Sequence, residues 1–299
     1  MNNVAVWIQQ MEAARASTVC LCAHLDDESR VRAVRSAFFA GPTPRLFAHR
    51  GASGEAPENT LVAFRRAVAI GVPYAELDVH ATRDGQVVVI HDPTVERTTD
   101  GQGRVRDYTL AELQRLDAGY RFSPDNGQTF PFRASGVTIP TLRDVLRACP
   151  ELRFTIEIKQ TDPPVEELVL AVVRECDRLG EVLLASEHDH VLARVRALAP
   201  EVATSFAVGE GLDLLQHITA DQLAGYHPPG QALQVPLEFH GTPLITARTV
   251  TAAHALGLEV HVWTINDPQE MERLFDLGVD GIMSDFPARL LAVAQRRQV

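Results

Sequence analysis

A chain of 299 residues with 45% hydrophobic and 22% charged side chains can bury the core of one large α/β domain. Its formal charge of -11 argues against a general affinity for nucleic acid or anionic membrane, so an anionic small molecule would need a positive site made locally. No apolar run reaches the ~18–20 residues of a membrane span, no basic segment precedes an apolar core at the N-terminus, and Cys20, Cys22, Cys149 and Cys176 make neither a disulfide framework nor a spaced zinc pair; a cytoplasmic protein with reduced thiols, without stable membrane insertion, is expected.

Residues 1–44 stand apart. Helical patterns over 7–16 and 26–40 end at Gly41-Pro42-Thr43-Pro44, a strong breaker. The segment reads as an extension of unknown role that covers the bottom of the domain or is partly loose. From residue 45 to 299 apolar, β-branched runs alternate with amphipathic ones. Strands are expected over 45–49, 74–79, 87–91, 153–158, 182–186, 202–208, 232–237, 258–264 and 280–284. Helices are expected over 59–70, 109–116, 141–148, 164–179, 189–198, 211–224, 247–256, 268–276 and 287–297. This rhythm predicts βαβ units and a parallel sheet closing as an α/β TIM (β/α)8 barrel. One strand of the nine must lie outside the ring, and 232–237 is the expected one.

Two segments break the rhythm. Asp84-Gly85 looks like a hairpin turn, which would make 87–91 antiparallel and carry His91 away from the rim that holds Asp78. A crossover without a helix through 80–86 would keep both on one rim. The second break, 117–140, is too long and turn-rich for an ordinary connection, carries Tyr120, Phe122, Phe130 and Phe132, and reads as an insertion at the active-site rim. It is either a cover over the active-site rim or a loop packed on its own aromatics.

Four apolar runs end in reactive groups: LFAHRG (46–51), ELDV (76–79), VVVIHD (87–92) and FTIEIK (154–159). In a barrel such strand ends form the catalytic face. Glu76 and Asp78 share one strand face, as do Glu157 and Lys159. Carboxylates gathered there must be salt-bridged or hold a cation, and an all-oxygen set suits Mg²⁺ or Ca²⁺. His49 and His91 suit acid–base chemistry, though a lone histidine at a strand end can be structural. Arg50 offers a fork and Lys159 a point charge for phosphate. His80 follows Asp78 on the same face and is ambiguous. Trp263 could wall the pocket or fill the core, Asn59 or Thr60 could cap a helix, and Glu58 reads as structural.

Together HRG (49–51), PENT (57–60), ELD (76–78), TRDG (82–85), VVVIHD (87–92), IEIK (156–159), WTIN (263–266) and VDGIMSDFP (279–287) resemble the glycerophosphodiester phosphodiesterases, across residues 45–290 in unbroken order. Ser284 stands where threonine is commoner. The resemblance implies a metal-dependent TIM barrel that hydrolyses a small-molecule glycerophosphodiester to glycerol 3-phosphate and an alcohol. It implies Glu76, Asp78 and Glu157 as ligands of one divalent ion, His49 and His91 as the acid–base pair, and Arg50 and Lys159 as phosphate binders. It also likens 93–140, after the third strand, to the small insertion of bacterial members, which supports reading 117–140 as a substrate cover. Alternatives are a lysophospholipase D or sphingomyelinase D activity, since related barrels use the same residues on lipids, and a non-catalytic barrel that binds phosphodiesters.

Overall fold

The structure, a computed structural model, describes residues 36–297; the helix expected over 7–16, most of that over 26–40, and Cys20 with Cys22 lie outside them. The strands are β1 (Arg45–Ala48), β2 (Tyr74–Ala81), β3 (Val87–Val89), β4 (Arg153–Ile158), β5 (Val182–Ala185), β6 (Ala203–Thr204), β7 (Ala232–Val235), β8 (Glu238–Phe239), β9 (Thr242–Pro243), β10 (Glu259–Val262) and β11 (Gly281–Ser284). Eight of them pair in the order β6-β5-β4-β2-β1-β11-β10-β7. A parallel bridge between Ser205 and Ala232 closes the ring, so the fold is the expected (β/α)8 barrel. Outward apolar side chains such as Leu77, Phe154, Ile156 and Leu184 pack with the inner faces of the helices in one large core.

The strand outside the ring is β3, not 232–237. Residues 232–235 of the latter segment pair in parallel with β10, from Ala232↔Glu259 to Val235↔Val262. β3 instead turns back at Asp84-Gly85 and pairs antiparallel with β2, Val79↔Val89 and Ala81↔Val87. The hairpin does not misplace His91, because the strand lengths compensate. β2 continues to Ala81, beyond its last pairing with β4 at Val79↔Ile158. The short descent of β3 then only returns the chain to the rim, where Ile90 N–H donates to the Asp78 carbonyl at 3.0 Å. No crossover is needed.

Helix starts follow their caps. Thr60, rather than Asn59, caps Leu61–Ile70 by accepting from Ala63 N–H, and Gly71 at φ 91° ends that helix. Thr141 and Asp144 form a capping box on Leu142–Ala148. The expected helix over 211–224 begins earlier, at Val208–Ala220, which shortens β6 to two residues and brings the helix over the barrel mouth.

The lower barrel is aromatic with one charge pair at its centre. The 3-10 turn Ala37–Ala40 places Phe38 and Phe39 against Phe47, Tyr74, Leu183 and Met283. Arg45, 1% exposed, donates to Glu259 Oε2 at 2.5 Å and Oε1 at 2.7 Å, to the Tyr74 hydroxyl at 2.6 Å and to the Phe39 carbonyl at 2.9 Å. Burial opposes charge on Glu259, but Arg45 and His261 outweigh it and hold its carboxyl down at about 2.

The insertion builds a satellite core of Val95, Val105, Leu113, Ala118, Val137 and Ile139 around Val88 and Ile90. Its aromatics pack on one another: Phe122 meets Phe132 edge to face at 5.3 Å, and Arg133 stacks 4.2 Å from Tyr120 and 3.8 Å from Phe130. Those contacts favour the self-packed loop over a substrate cover.

Removing one member of a fully buried ion pair leaves the other unpaired, which costs about 3–5 kcal/mol. Arg45→Met is therefore expected to lower unfolding free energy by about that amount in urea titrations at pH 7. Because the folded pKa of Glu259 is depressed from 4.5 to about 2, its contribution is complete above about pH 4.5 and fades as pH falls toward 2. The gap between native and variant should close over the same window.

Candidate active site

The inward face of β2 carries Glu76 and Asp78, and that of β4 carries Glu157, paired side by side with Asp78 in the parallel ladder. One carboxylate oxygen from each of the three lies within 4.8 Å of the others. Glu76 and Asp78 are 4% and 1% exposed. Burial, then Asp78 and Glu157, push the Glu76 carboxyl well above the usual range against the pull of Arg50 and Lys159. Burial likewise raises Glu157 to about 7, with Lys159 opposing and Asp78 adding.

Two cations hold this cluster together. Lys159 Nζ lies 2.7 Å from Glu157, 3.3 Å from Glu187 and 3.7 Å from Asp78 Oδ1. Arg50 Nε is 3.2 Å from Asp78 Oδ2, and its Nη1 donates to Glu58 at 2.9 Å. Burial opposes both charges, yet the adjoining carboxylates win and raise both pKa values. Asp78 Oδ1 nevertheless accepts no hydrogen bond among the described residues, and such an oxygen at 1% exposure is a poor end point for folding. An oxygen-only cluster with one orphaned buried acceptor fits a hard divalent cation.

The backbone after β1 is bent to serve the same cluster. Arg50 sits at φ 54°, Gly51 at φ 80° and Asn59 at φ 57°, a left-handed region costly for residues with side chains. The bend lets Arg50 N–H donate to Glu76 Oε2 at 3.1 Å, while Asn59 Nδ2 donates to Asp78 Oδ2 at 2.8 Å. A Cβ on Gly51 would lie 2.7 Å from the Ala63 backbone, so only glycine fits there.

His49 and His91 both reach the cavity, and each is backed by an aspartate. His49 Nδ1 lies 2.7 Å from Asp285 Oδ1, and His91 Nδ1 lies 2.6 Å from Asp92 Oδ1. Both bonds engage Nδ1 and leave Nε2 for the cavity; His49 Nε2 is 3.9 Å from Glu76 Oε2. Asp285 also accepts from Ser53 at 2.8 Å and from Asn266 at 2.7 Å. Burial opposes its charge, but His49, Asn266 and Ser53 hold its carboxyl down at about 2. Asp92, likewise held at about 2 against burial by Arg97 and His91, shares Arg97 with Glu58: Arg97 Nε meets Asp92 at 2.6 Å and Nη1 meets Glu58 at 2.7 Å. A continuous chain of charged bonds thus runs His91–Asp92–Arg97–Glu58–Arg50.

The seven residues that the resemblance implies meet at one cavity of about 350 Å³: His49, Arg50, Glu76, His91, Glu157 and Lys159 line it, and Asp78 clusters with Glu76 and Glu157. Trp263 lines the mouth at 38% exposure. His80 does not line it; its Nε2 sits 3.0 Å from the His91 carbonyl and fixes the turn below that residue. Glu58 orients Arg50. No residue of 93–140 lines the cavity. Asp285 and Arg97 were missed, although the SDFP run contained the former.

The family profile of the "Glycerophosphoryl diester phosphodiesterase family" matches residues 49–289. A "Glycerophosphodiester phosphodiesterase" of Caldanaerobacter subterraneus is 34% identical over 257 residues, 84% of this chain and 98% of the relative. The structure of an Oleispira antarctica phosphodiesterase in complex with the product sn-glycerol-3-phosphate superposes with a TM-score of 0.68 at 29% identity, covering 85% of this chain and 97% of that one. A glycerophosphodiester phosphodiesterase structure from Agrobacterium tumefaciens gives 0.65 at 28%, covering 82% and 98%. The chain belongs to the glycerophosphoryl diester phosphodiesterase family. It is an enzyme, a hydrolase of phosphodiesters, and no helix among the described residues is long and apolar enough to cross a membrane.

Glu76→Gln removes a carboxyl whose charge burial and its neighbours disfavour. In excess chelator the variant should unfold at a higher denaturant concentration than the native protein. Addition of Mg²⁺ or Ca²⁺ at about 100 times the dissociation constant should then stabilise the native protein by about 2.7 kcal/mol and the variant much less. Equal stabilisation of both would remove Glu76 from the ligand set.

Proposed function

We propose that this enzyme hydrolyses glycerophosphodiesters to sn-glycerol 3-phosphate and an alcohol, with one Mg²⁺ or Ca²⁺ held by Glu76, Asp78 and Glu157. The observation that carries the reading is the pair of aspartate-backed histidines facing one cavity with an oxygen-only cluster. The product named for the Oleispira enzyme agrees with it. A purely binding barrel has no use for two histidines each locked by an aspartate.

When bound, the divalent ion would lower the pKa of a glycerol hydroxyl and offset charge that builds on phosphorus. Arg50 and Lys159, now spent on the carboxylates, turn toward the non-bridging oxygens of the phosphate once those carboxylates are engaged. One histidine Nε2 takes the proton of the glycerol 2-hydroxyl as its oxygen attacks phosphorus. The other gives a proton to the alcohol oxygen as its bond to phosphorus breaks. Water opens the resulting cyclic phosphate with the two histidines in exchanged roles. Asp285 and Asp92 keep each ring in one tautomer and stabilise its protonated form, as the aspartate does in a serine-protease triad.

Glycerol 3-phosphate release from glycerophosphocholine, with Mg²⁺ or Ca²⁺ and again after chelation, tests this. Metal-dependent release is expected; a folded, metal-loaded protein without turnover on it would sink the proposal. His49→Ala and His91→Ala should each lower kcat by about 10²–10⁴-fold while calorimetry finds divalent binding nearly intact. Asp285→Asn should lower kcat in the same direction with little change in KM.

A further inference from the structure

One side chain outside the cavity is bonded to the supports of two groups in its charged half. Arg97 belongs to the insertion 93–140, no residue of which lines the cavity. Its guanidinium is spread between two carboxylates from separate parts of the chain. Nε and Nη2 lie 2.6 and 3.1 Å from Asp92 Oδ2 and Oδ1, while Nη1 and Nη2 lie 2.7 and 2.8 Å from Glu58 Oε2 and Oε1. Both oxygens of each carboxylate are thereby held. Asp92 passes the constraint to His91 Nδ1 at 2.6 Å, and Glu58 passes it to Arg50 Nη1 at 2.9 Å.

An ion pair near the surface ordinarily contributes little, because fixing a long side chain offsets what the pair returns. Arg97 is 45% exposed, yet two features set it apart. Its planar fork serves two carboxylates at once, which the single ammonium of a lysine does not. Its backbone is also fixed, since the turn that carries it is anchored by Val95 and Thr99, both 0% exposed. Thr99 donates to the Val95 carbonyl from N–H at 3.0 Å and from Oγ1 at 2.8 Å, and Val95 N–H donates to the Gly103 carbonyl at 3.1 Å. Arg121 Nε, from further along the insertion, donates to the Thr99 carbonyl at 3.3 Å. The satellite core thus holds Arg97 as a strut against the barrel. Without it Asp92 and Glu58 would be like charges one guanidinium apart, each drawn off the group it supports.

We propose that Arg97 is a positioning residue with two arms, aiming His91 through Asp92 and Arg50 through Glu58, and that supplying it is the insertion's contribution to the reaction. The proposal rests on the functional reading above, which gives His91 a proton to move and Arg50 a phosphate to hold. Loss of Arg97 is then felt both in turnover and in phosphate binding, whereas loss of either carboxylate is felt mainly in one of them.

The test measures kcat for glycerophosphocholine, and sn-glycerol 3-phosphate binding by calorimetry, on full-length, metal-loaded native protein and variants. Asp92→Asn should lower kcat and leave product affinity nearly unchanged, and Glu58→Gln should weaken product affinity more than it lowers kcat. Arg97→Met should do both, each by about 10-fold or more, since a misplacement of ~1 Å can cost ~10²-fold. Arg97→Lys, which keeps the charge without the fork, should recover neither. In an Asp92→Asn background, Arg97→Met should lower kcat little further, because the arm to His91 is already cut. Arg97→Gln carries the same expectations should Arg97→Met not fold. An active native protein whose folded Arg97 variants keep both quantities overturns the positioning role and leaves the proposed function standing. Full recovery by lysine, or an undiminished further loss of kcat in the Asp92→Asn background, overturns it equally. Absence of turnover by the native protein overturns both readings.

Discussion

Three carboxylates on two adjacent strands of a barrel interior are the constraint around which the upper half of this molecule is built. In isolation the cluster is unfavourable: two of its members are almost wholly buried, and Asp78 and Glu157 are direct neighbours in the ladder. The fold offsets that cost with Arg50 and Lys159, with the Asn59 amide, and with a backbone N–H made available only by a left-handed bend. Hydrophobic packing of the outer core holds the strands in this arrangement against their mutual repulsion. Strain and like charge concentrated at one spot of an otherwise consistent fold are the mark of a site kept for chemistry.

Rigidity spreads outward from the cluster through charge-assisted bonds. Glu58 touches Arg50 on one side and Arg97 on the other, and Arg97 in turn fixes Asp92 behind His91. Asp285 does the same for His49 from β11, on the opposite side of β1, with Ser53 and Asn266 completing its shell. Each histidine ring is held from its far nitrogen by a group that is not itself in the cavity. That division would let the near nitrogens face a substrate without losing orientation, and it draws Ser53 and Asn266 into the surroundings of the cavity.

The charged half was legible in the sequence because strand ends advertise themselves: an apolar, β-branched run that terminates in histidine or carboxylate has few other meanings. The alternation of runs likewise carried the barrel. Position in the ring was less legible. VVVIHD is as apolar as any central strand, and nothing local in it says that it pairs antiparallel with β2 outside the ring, whereas the run starting at Ala232 was expected outside the ring but pairs with β10 through Val235. Asp285 and Arg97 escaped because their meaning lies in a partner hundreds or tens of residues away. The aromatics of 117–140 left a cover and a self-packed loop equally open; Arg133 stacking on Tyr120 and Phe130, and Phe122 on Phe132, favour the second, a preference that composition does not reveal.

An acidic protein that acts on an anion has to make its positive charge conditional. Arg50 and Lys159 are already paired, so in the absence of a divalent ion the cavity offers phosphate little free charge. A divalent ion bound by the carboxylates would return both cations to the cavity and add its own charge beside them. Ion and phosphodiester would then bind with positive coupling, each raising the affinity of the other by the same factor, as linkage requires. The net charge of -11 would then cease to be an obstacle: the long-range field repels anions in general, while the short-range field of a loaded site would select a ligand that meets it at contact distance, where screening by water and salt is weakest.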